Sequence, residues 1–231
     1  MKDNENFFKV SVAVDVVLFT IEENELKILL IKRSSEPFKD IHALPGGFVH
    51  EGETTKGTTS RILKNKAGVA NVYTEQLYTF DTPKRDPRGP IFSVTYFALA
   101  PREDIKINKT KESQDPQFVS VKKLSGKELP ELTLAFDHTD IIKYSIKRLQ
   151  AKLEYTNIVY SLLPRFFTLN QLQKTYEIIL GQKLDKRNFQ KKYLQLDLIS
   201  PTKKMFAGTR QRPARLYEFK IRKPAELRKF I

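Results

Sequence analysis

The sequence predicts an α+β fold in two domains, a strand-rich domain over residues 1–152 and a helical domain over residues 153–231. Segments rich in β-branched residues, which favour strands, occur in the first part and stop before its last helix. The charge changes at the same place. Residues 151–231 hold 18 Lys and Arg against 6 Asp and Glu, or +12, whereas residues 1–150 hold 23 against 21, or +2. This asymmetry favours an anionic partner for the second part, nucleic acid before a membrane surface, with a merely solubilising basic surface as the plain alternative.

Composition sets the compartment that we expect. The 231 residues are 40% hydrophobic, which is enough for a core, and they include no cysteine, which excludes disulfides and cysteine-containing metal sites. The N-terminal residues, MKDNENFFKV, lack the apolar stretch of a signal peptide. The longest apolar run, Val10 to Ile21, is too short to span a bilayer. We therefore expect a cytoplasmic protein with no membrane partner.

The first domain is predicted to contain five strands and two helices. The first two strands form a hairpin around Glu22–Asn24. The first helix covers Thr55–Lys66 and turns Leu63 and Ala67 towards the sheet, and the second helix begins at a capping Asp137 and runs to about residue 152. The predicted strands are Val10–Ile21, Leu26–Lys32, Val72–Phe80, Ile91–Ala100 and Phe118–Val121.

The stretch Leu44–Val69, LPGGFVHEGETTKGTTSRILKNKAGV, resembles the Nudix box, G-x5-E-x7-R-E-U-x-E-E-x-G-U, in which U is aliphatic. Gly47, Glu53, Arg61 and Gly68 stand at the spacing that this box requires. The resemblance implies a Nudix-type α/β/α sandwich whose ligand cleft lies beside this stretch.

The three glutamates of the R-E-U-x-E-E core are replaced by Ile62, Asn65 and Lys66. In Nudix hydrolases these carboxylates hold Mg²⁺, which needs hard oxygen ligands to polarise a phosphoryl group. Isoleucine cannot ligate a metal, and a lysine ammonium at ~4 Å would repel each unit of metal charge by about 4 kcal/mol at an effective dielectric of roughly 20. We therefore predict a frame that binds a nucleotide- or sugar-like ligand without hydrolysing it, with no catalytic residue, bound metal or cofactor.

The alternative is an active hydrolase of ADP-ribose-type nucleoside diphosphate sugars with an unusual metal site. Such an enzyme would recruit Glu51, Glu53 and a later acid, Glu112 or Asp115.

Arginines and loop residues near the box are the predicted ligand contacts. The loop 81–90, DTPKRDPRGP, concentrates arginine forks that suit phosphate or carboxylate, although a surface turn with local Asp–Arg pairing explains it equally well. Phe38 is suited to stack on a base or ribose, but a loop aromatic is more often a packing plug. His138 is expected to pack rather than to ligate, because no second histidine stands beside it. The candidate effector-binding residues are Arg33, Phe38, Gly47, Arg85, Asp86 and Arg88.

The second domain is predicted to hold three helices and two strands, the order typical of a winged helix-turn-helix. The helices cover Tyr155–Leu163, then a segment capped by Thr168 and ended by Gly181, then Lys186–Leu196 capped by Asp185. The strands lie near Leu198–Ser200 and Arg215–Lys220, with a basic loop between them.

The third of these helices has two unlike sides. Phe189, Tyr193 and Leu196 share the inner side, and the opposite side carries residue types that contact base edges and phosphates. A polar face that simply meets water is the plain alternative, and RNA binding is less favoured because the strands carry no aromatic platform. The candidate DNA-binding residues are Lys186, Arg187, Asn188, Lys191, Lys192, Gln195, Lys203, Lys204, Arg210 and Arg212.

Nearly the whole chain resembles the NrtR type of Nudix-related transcriptional regulators. The resemblance rests on the broken box and on YTFDTPKRDPRG at 78–89, FDH at 136–138, LLPRFFTLNQLQKTYE at 162–177, LDKRNFQKK at 184–192 and RPARLYEF at 212–219. It implies a homodimeric repressor of genes for NAD or sugar metabolism that binds palindromic double-stranded DNA. It also implies release by a small-molecule effector, ADP-ribose or, in a related branch, arabinose, and the segment 78–89 resembles the ADP-ribose branch.

Overall fold

A computed structural model describes residues 9–107, 113–125, 132–206 and 213–227 of the chain. Its helices are α1 (Thr55–Ile62), α2 (Lys122–Ser125), α3 (His138–Tyr155), α4 (Leu169–Leu180) and α5 (Lys186–Gln195). Its strands are β1 (Ser11–Glu22), β2 (Glu25–Arg33), β3 (His42–Ala43), β4 (Gly46–Phe48), β5 (Tyr73–Phe80), β6 (Ile91–Leu99), β7 (Ser113–Ser120), β8 (Ile199–Phe206) and β9 (Ala214–Phe219). Within these described ranges, no helix is both long and apolar enough to cross a membrane.

The large sheet is forked along one edge of β1. The order is β3-β2-β1-β6-β5, with β7 paired to β2 and β4 paired to β1. The last part of β1, Phe19–Glu22, pairs with β2, whereas Ala13–Asp15 pairs with β4 along the same edge. Because β1 changes partner, β2 and β4 diverge, and a cleft opens between them.

Helices cover both faces of this sheet. Alternate residues of a strand point to opposite faces. Val16 and Leu18 accordingly join the apolar cluster beneath α1, and Val17 and Phe19 join the cluster that includes α3. The predicted α/β/α sandwich followed by a winged helix-turn-helix domain is therefore confirmed.

The helix that the sequence predicts over Thr55–Lys66 continues beyond the end of α1. A π-helical segment, Leu63–Ala67, continues it, and Gly68 closes it with a left-handed backbone. Leu63 and Ala67 are buried against the sheet, as the sequence predicts.

The predicted helix Tyr155–Leu163 is wrong. α3 continues to Tyr155, the backbone becomes extended at Thr156, and only a 3-10 turn, Ile158–Ser161, follows. All four residues of that turn are buried, so their apolar repeat reflects burial on every side rather than one helical face. The Asn157 side chain fixes the break by bonding the backbone of Lys223 and Ala225.

In the winged helix-turn-helix domain, the helix caps that the sequence predicts for α4 and α5 agree with the structure. Thr168 and Gln171 form a reciprocal capping box at the start of α4, and Gly181 ends the helix with a left-handed backbone. The Asp185 side chain caps α5 by accepting a hydrogen bond from the Asn188 N–H.

Two strands are longer than the sequence predicts. β7 begins at Ser113, and β8 extends to Phe206, so Lys203 and Lys204 lie within a strand, at an irregularity between Pro201 and Met205, rather than in a loop. Residues 207–212, with Arg210 and Arg212, lie outside the described residues.

Gly68 and Gly181 offer a matched test of the fold, because both end helices with positive φ, 63° and 71°. We expect Gly181→Ala to lower the free energy of unfolding by about 1–2 kcal/mol, the strain of a left-handed alanine. Gly68→Ala should cost more, because its Cβ would also lie 2.3 Å from the Lys106 carbonyl oxygen, whereas the space at 181 is open. Denaturant unfolding followed by circular dichroism measures both, and equal losses would contradict the close contact at Gly68.

Candidate ligand cavity and nucleic-acid interface

A cavity of about 680 Å³ lies in the cleft between β2 and β4. Five of the six predicted effector-binding residues line it, namely Arg33, Gly47, Arg85, Asp86 and Arg88. The sixth, Phe38, lies outside the lining and packs edge-on against Phe136, with ring centroids 4.8 Å apart. Phe136 therefore presents its ring to the cavity in place of Phe38.

Two aromatic rings, which the sequence reasoning did not single out, alternate with arginines along the wall. The Arg88 guanidinium lies 5.1 Å from the Phe48 ring centroid and 5.6 Å from that of Phe136, and the Arg33 guanidinium lies 4.9 Å from Phe136. Such surfaces accept the planar face of a base and the charge of a phosphate together. The only sequence signal for them is their position in LPGGFV and FDH, because stacking depends on the fold.

Asp86 and Arg88 form a local ion pair, which is the feature expected if the loop 81–90 were only a surface turn. The Arg88 side chain donates twice to the Asp86 carboxylate, at 2.9 and 2.6 Å. Burial raises the pKa of Asp86, but the hydrogen bonds and charge of Arg88 outweigh it and hold the pKa below its usual value. Asp86 is only 4% exposed and lines the cavity, so its carboxylate is part of the cavity wall, whereas most of the loop 81–90 is exposed.

A buried charge network closes the inner end of the cavity. The Arg85 side chain is 4% exposed and donates to both carboxylate oxygens of Asp137, at 2.8 and 2.6 Å. It also lies 3.5 Å from Asp15, which accepts a 2.7 Å hydrogen bond from Ser93. Burial raises the pKa of Asp15, but His138, Ser93 and Arg85 together lower it to about 2. Asp137 therefore starts α3 without a side-chain cap, contrary to the prediction, because its carboxylate is bound to Arg85.

His138 does more than pack. Its Nδ1 accepts a 3.0 Å hydrogen bond from the Leu44 N–H, which places a ring proton on Nε2, and Nε2 lies 3.6 Å from Asp15 Oδ1. The ring is 2% exposed and lines the cavity. His138 is therefore a buried residue of the cavity wall whose hydrogen-bond donor, the Leu44 N–H between β3 and β4, lies 94 residues away in the chain.

Glu53, the one box glutamate that the chain retains, is bound by its neighbours. Arg61 donates to Oε1 at 2.7 Å and to Oε2 at 2.8 Å, and the Thr58 hydroxyl donates to Oε2 at 2.8 Å. Hydrogen bonds from Arg61 and Thr58 lower the pKa of Glu53 to about 2. Glu53 therefore braces the loop against α1.

The positions of the lost glutamates do not suit Mg²⁺. Ile62 is 2% exposed and belongs to the apolar core, and Lys66 is 8% exposed with its Nζ 2.7 Å from the Gly46 carbonyl oxygen. Within the described residues, no group of three or more His, Cys, Asp or Glu is placed to hold a metal.

The outer side of α5 is open to solvent and polar apart from Leu194, which is 45% exposed. Phe189 and Tyr193 are buried on its inner side, and Leu196 is partly buried beside them. The exposed residues include the candidates Lys186, Arg187, Asn188, Lys191, Lys192 and Gln195.

Hydrogen bonds from side chains fix the turn between α4 and α5, and β8, a strand of the wing, carries two further cations, Lys203 and Lys204. Gln173 donates to the Leu184 carbonyl oxygen at 3.0 Å, and the Leu184 N–H donates to Glu177 at 3.1 Å. On β8, Lys203 and Lys204 are both exposed, and the Lys204 ammonium lies 4.1 Å from the Phe166 ring centroid. A helix pair fixed at its turn can present α5 as one rigid element.

Family models match both parts of the chain. The model described as the NUDIX domain matches residues 9–143, and the model described as the NrtR DNA-binding winged helix domain matches residues 159–219.

Two curated relatives differ in how much of the chain they match. An "ADPR responsive transcriptional repressor NtrR" from Acinetobacter baylyi is 36% identical over 211 residues, which are 90% of this chain and 81% of the relative. An "ADP-ribose pyrophosphatase" from Methanocaldococcus jannaschii is 36% identical over 133 residues, 58% of this chain and 71% of that protein.

Two solved structures of Shewanella oneidensis NrtR are also similar. The complex with a 27mer DNA aligns at a TM-score of 0.80 and 34% identity, covering 90% of this chain and 93% of that one. The NUDIX domain complexed with ADP ribose aligns at 0.55 and 34% identity, covering 64% and 93%. With the NUDIX model over more than half of its length and the repressor relative over nearly all of it, this chain belongs to the NrtR family of Nudix-related transcriptional regulators.

Proposed function

We propose that this chain is an effector-gated, DNA-binding transcriptional repressor. Its first part, residues 1–152, holds ADP-ribose or a closely related nucleoside diphosphate sugar without hydrolysing it. Its second part, residues 153–231, binds a palindromic operator as half of a homodimer. The observation that carries this proposal is Lys66, which directs an ammonium into the cavity where a hydrolase of this family needs a carboxylate.

The chemistry of the cavity supports a diphosphate with a planar base. The cations of its lining are Arg33, Arg61, Lys66, Arg85 and Arg88, and the acids are Asp15 and Asp86. Glu53 and Asp137 also pair with Arg61 and Arg85, so the wall carries a net excess of about one positive charge, which favours an anionic linker between two sugars. The rings of Phe48 and Phe136 supply stacking surfaces for adenine or ribose in the same wall.

The hydrolase alternative draws support from the pyrophosphatase relative, which matches the first part of the chain. Its candidate acids are poorly placed. Both oxygens of Glu53 are bound to Arg61, Glu51 is exposed in the loop before α1, and Asp115 is exposed on β7. Glu112 lies outside the described residues. Binding without turnover is therefore the function that the described acids support best.

We expect ADP-ribose to raise the melting temperature of the purified chain and to remain intact. A ligand that binds the folded state stabilises it by mass action. Chromatography after incubation with Mg²⁺ or Mn²⁺ should find no AMP or ribose 5-phosphate above a protein-free control. Steady product formation that Glu53→Gln abolishes would overturn the non-hydrolytic role.

The exposed side of α5 should carry the specificity for DNA. We expect Arg187→Ala to weaken binding by about 1–3 kcal/mol, the usual cost of losing a side chain that contacts a base edge. The probe is a labelled duplex that the wild-type chain selects from a randomised pool, titrated at fixed salt.

Lys147→Ala is the matched control, because Lys147 is also an exposed helical cation but lies on α3. It should bind like the wild type. Arg187→Ala binding as tightly as Lys147→Ala would remove Arg187 from the interface.

If the effector controls DNA binding, then DNA must also affect the binding of the effector. If ADP-ribose weakens DNA binding by some factor, DNA must weaken ADP-ribose binding by the same factor. Titrating each ligand with and without a saturating amount of the other should return equal factors, about 5- to 150-fold for a typical coupling. Unchanged affinities in both titrations would show that the two sites act independently.

A further inference from the structure

Lys66 occupies the floor of the cavity. The residue stands in the π-helical segment after α1, is 8% exposed, and donates from Nζ to the Gly46 carbonyl oxygen at 2.7 Å. Gly46 in turn lies tight against Asp15, because a Cβ added to it would meet Asp15 Oδ1 at 2.3 Å. The ammonium is therefore held by backbone whose position leaves little room to shift.

The Gly46 carbonyl shows why a cation of this kind fits here. Carbonyl oxygens are hard ligands that suit Mg²⁺, and this one instead accepts a hydrogen bond from an ammonium. Ile62 blocks a second ligand position with an apolar side chain that is 2% exposed. The Gly46 carbonyl oxygen can bind a cation, and in this chain that cation is the Lys66 ammonium, which is covalently part of the protein, rather than a metal ion.

The net charge at the three box positions also disfavours a bound Mg²⁺. Three carboxylates and one Mg²⁺ sum to a net negative charge, whereas Ile62, Asn65 and Lys66 carry one positive charge with no metal. The three positions that hold acids in the Nudix box therefore carry a positive charge in this chain, which suits a diphosphate. An added Mg²⁺ would face repulsion from Lys66 at close range.

We propose that the Lys66 ammonium replaces Mg²⁺ as the cation that binds the effector's diphosphate, so that binding is independent of metal. This inference rests on the proposed function above. An ammonium carries three N–H donors, so phosphate oxygens can join Gly46 as acceptors. Unlike a metal, it does not generate a bound hydroxide, so the effector is held and not consumed.

Titration calorimetry of ADP-ribose into the full chain tests this directly. Wild-type affinity should agree within about twofold between buffer with EDTA and buffer with Mg²⁺. In EDTA, Lys66→Met should bind about 10- to 100-fold more weakly, the range for losing a charge-assisted hydrogen bond. Lys66→Glu should bind more weakly still, because it adds repulsion to the loss.

Lys64→Met and Lys64→Glu are the matched controls, because Lys64 lies on the same segment, is exposed, and does not line the cavity. Both should bind like the wild type. Melting curves of all variants show whether they fold, and the wild-type comparison stands by itself if a Lys66 variant does not.

The outcomes separate the two claims. A wild type that needs Mg²⁺ for binding, or a folded Lys66→Met that binds as tightly as the wild type, overturns the role of Lys66 and leaves the effector in place. A wild type that binds ADP-ribose in neither buffer overturns the proposed effector itself.

Discussion

The ion pair between Arg85 and Asp137 joins the loop after β5 to the first turn of α3, and the arrangement of the cavity depends on it. The Arg85 side chain is almost fully buried, and a buried charge persists only when partners compensate it. Asp15 completes the compensation at 3.5 Å and brings β1 into the same network. Loss of either partner would leave a charge uncompensated beneath the ligand, so the cavity wall and the start of α3 are stable only together.

α3 carries that constraint to the other half of the molecule. The helix has 18 residues, a length of about 27 Å. Near its end, Gln150 donates to the Ile179 carbonyl oxygen of α4 at 2.9 Å, and Leu149 and Leu153 share one apolar cluster with Tyr176. The first turn of α3 therefore lies beside the cavity, and its last turns pack against α4 of the winged domain.

The sequence predicts features whose energetics lie within a few residues and misses those that depend on distant ones. The Thr168 cap and the helix end at Gly181 follow from neighbouring residues, and the structure confirms both. The partner of Asp137 is 52 residues away, so the sequence suggested a helix cap where the fold places an ion pair. The apolar repeat at 155–163 was misleading for a related reason, since burial on all sides and burial on one helical face give similar patterns over a short segment.

The box residues divide by what they do for the fold. Glu53 and Arg61 brace the loop against α1, and Gly68 turns the chain where any side chain would strike the Lys106 carbonyl. These residues are retained, whereas the glutamate positions now held by Ile62 and Lys66 serve packing and charge. The chain thus combines the frame of the box and a cation-lined cavity between β2 and β4 with Ile62, Asn65 and Lys66 at the positions of the metal-holding acids. Retention of the frame together with a reversal of charge at its floor is what a binding site needs when its ligand must be recognised and then left intact.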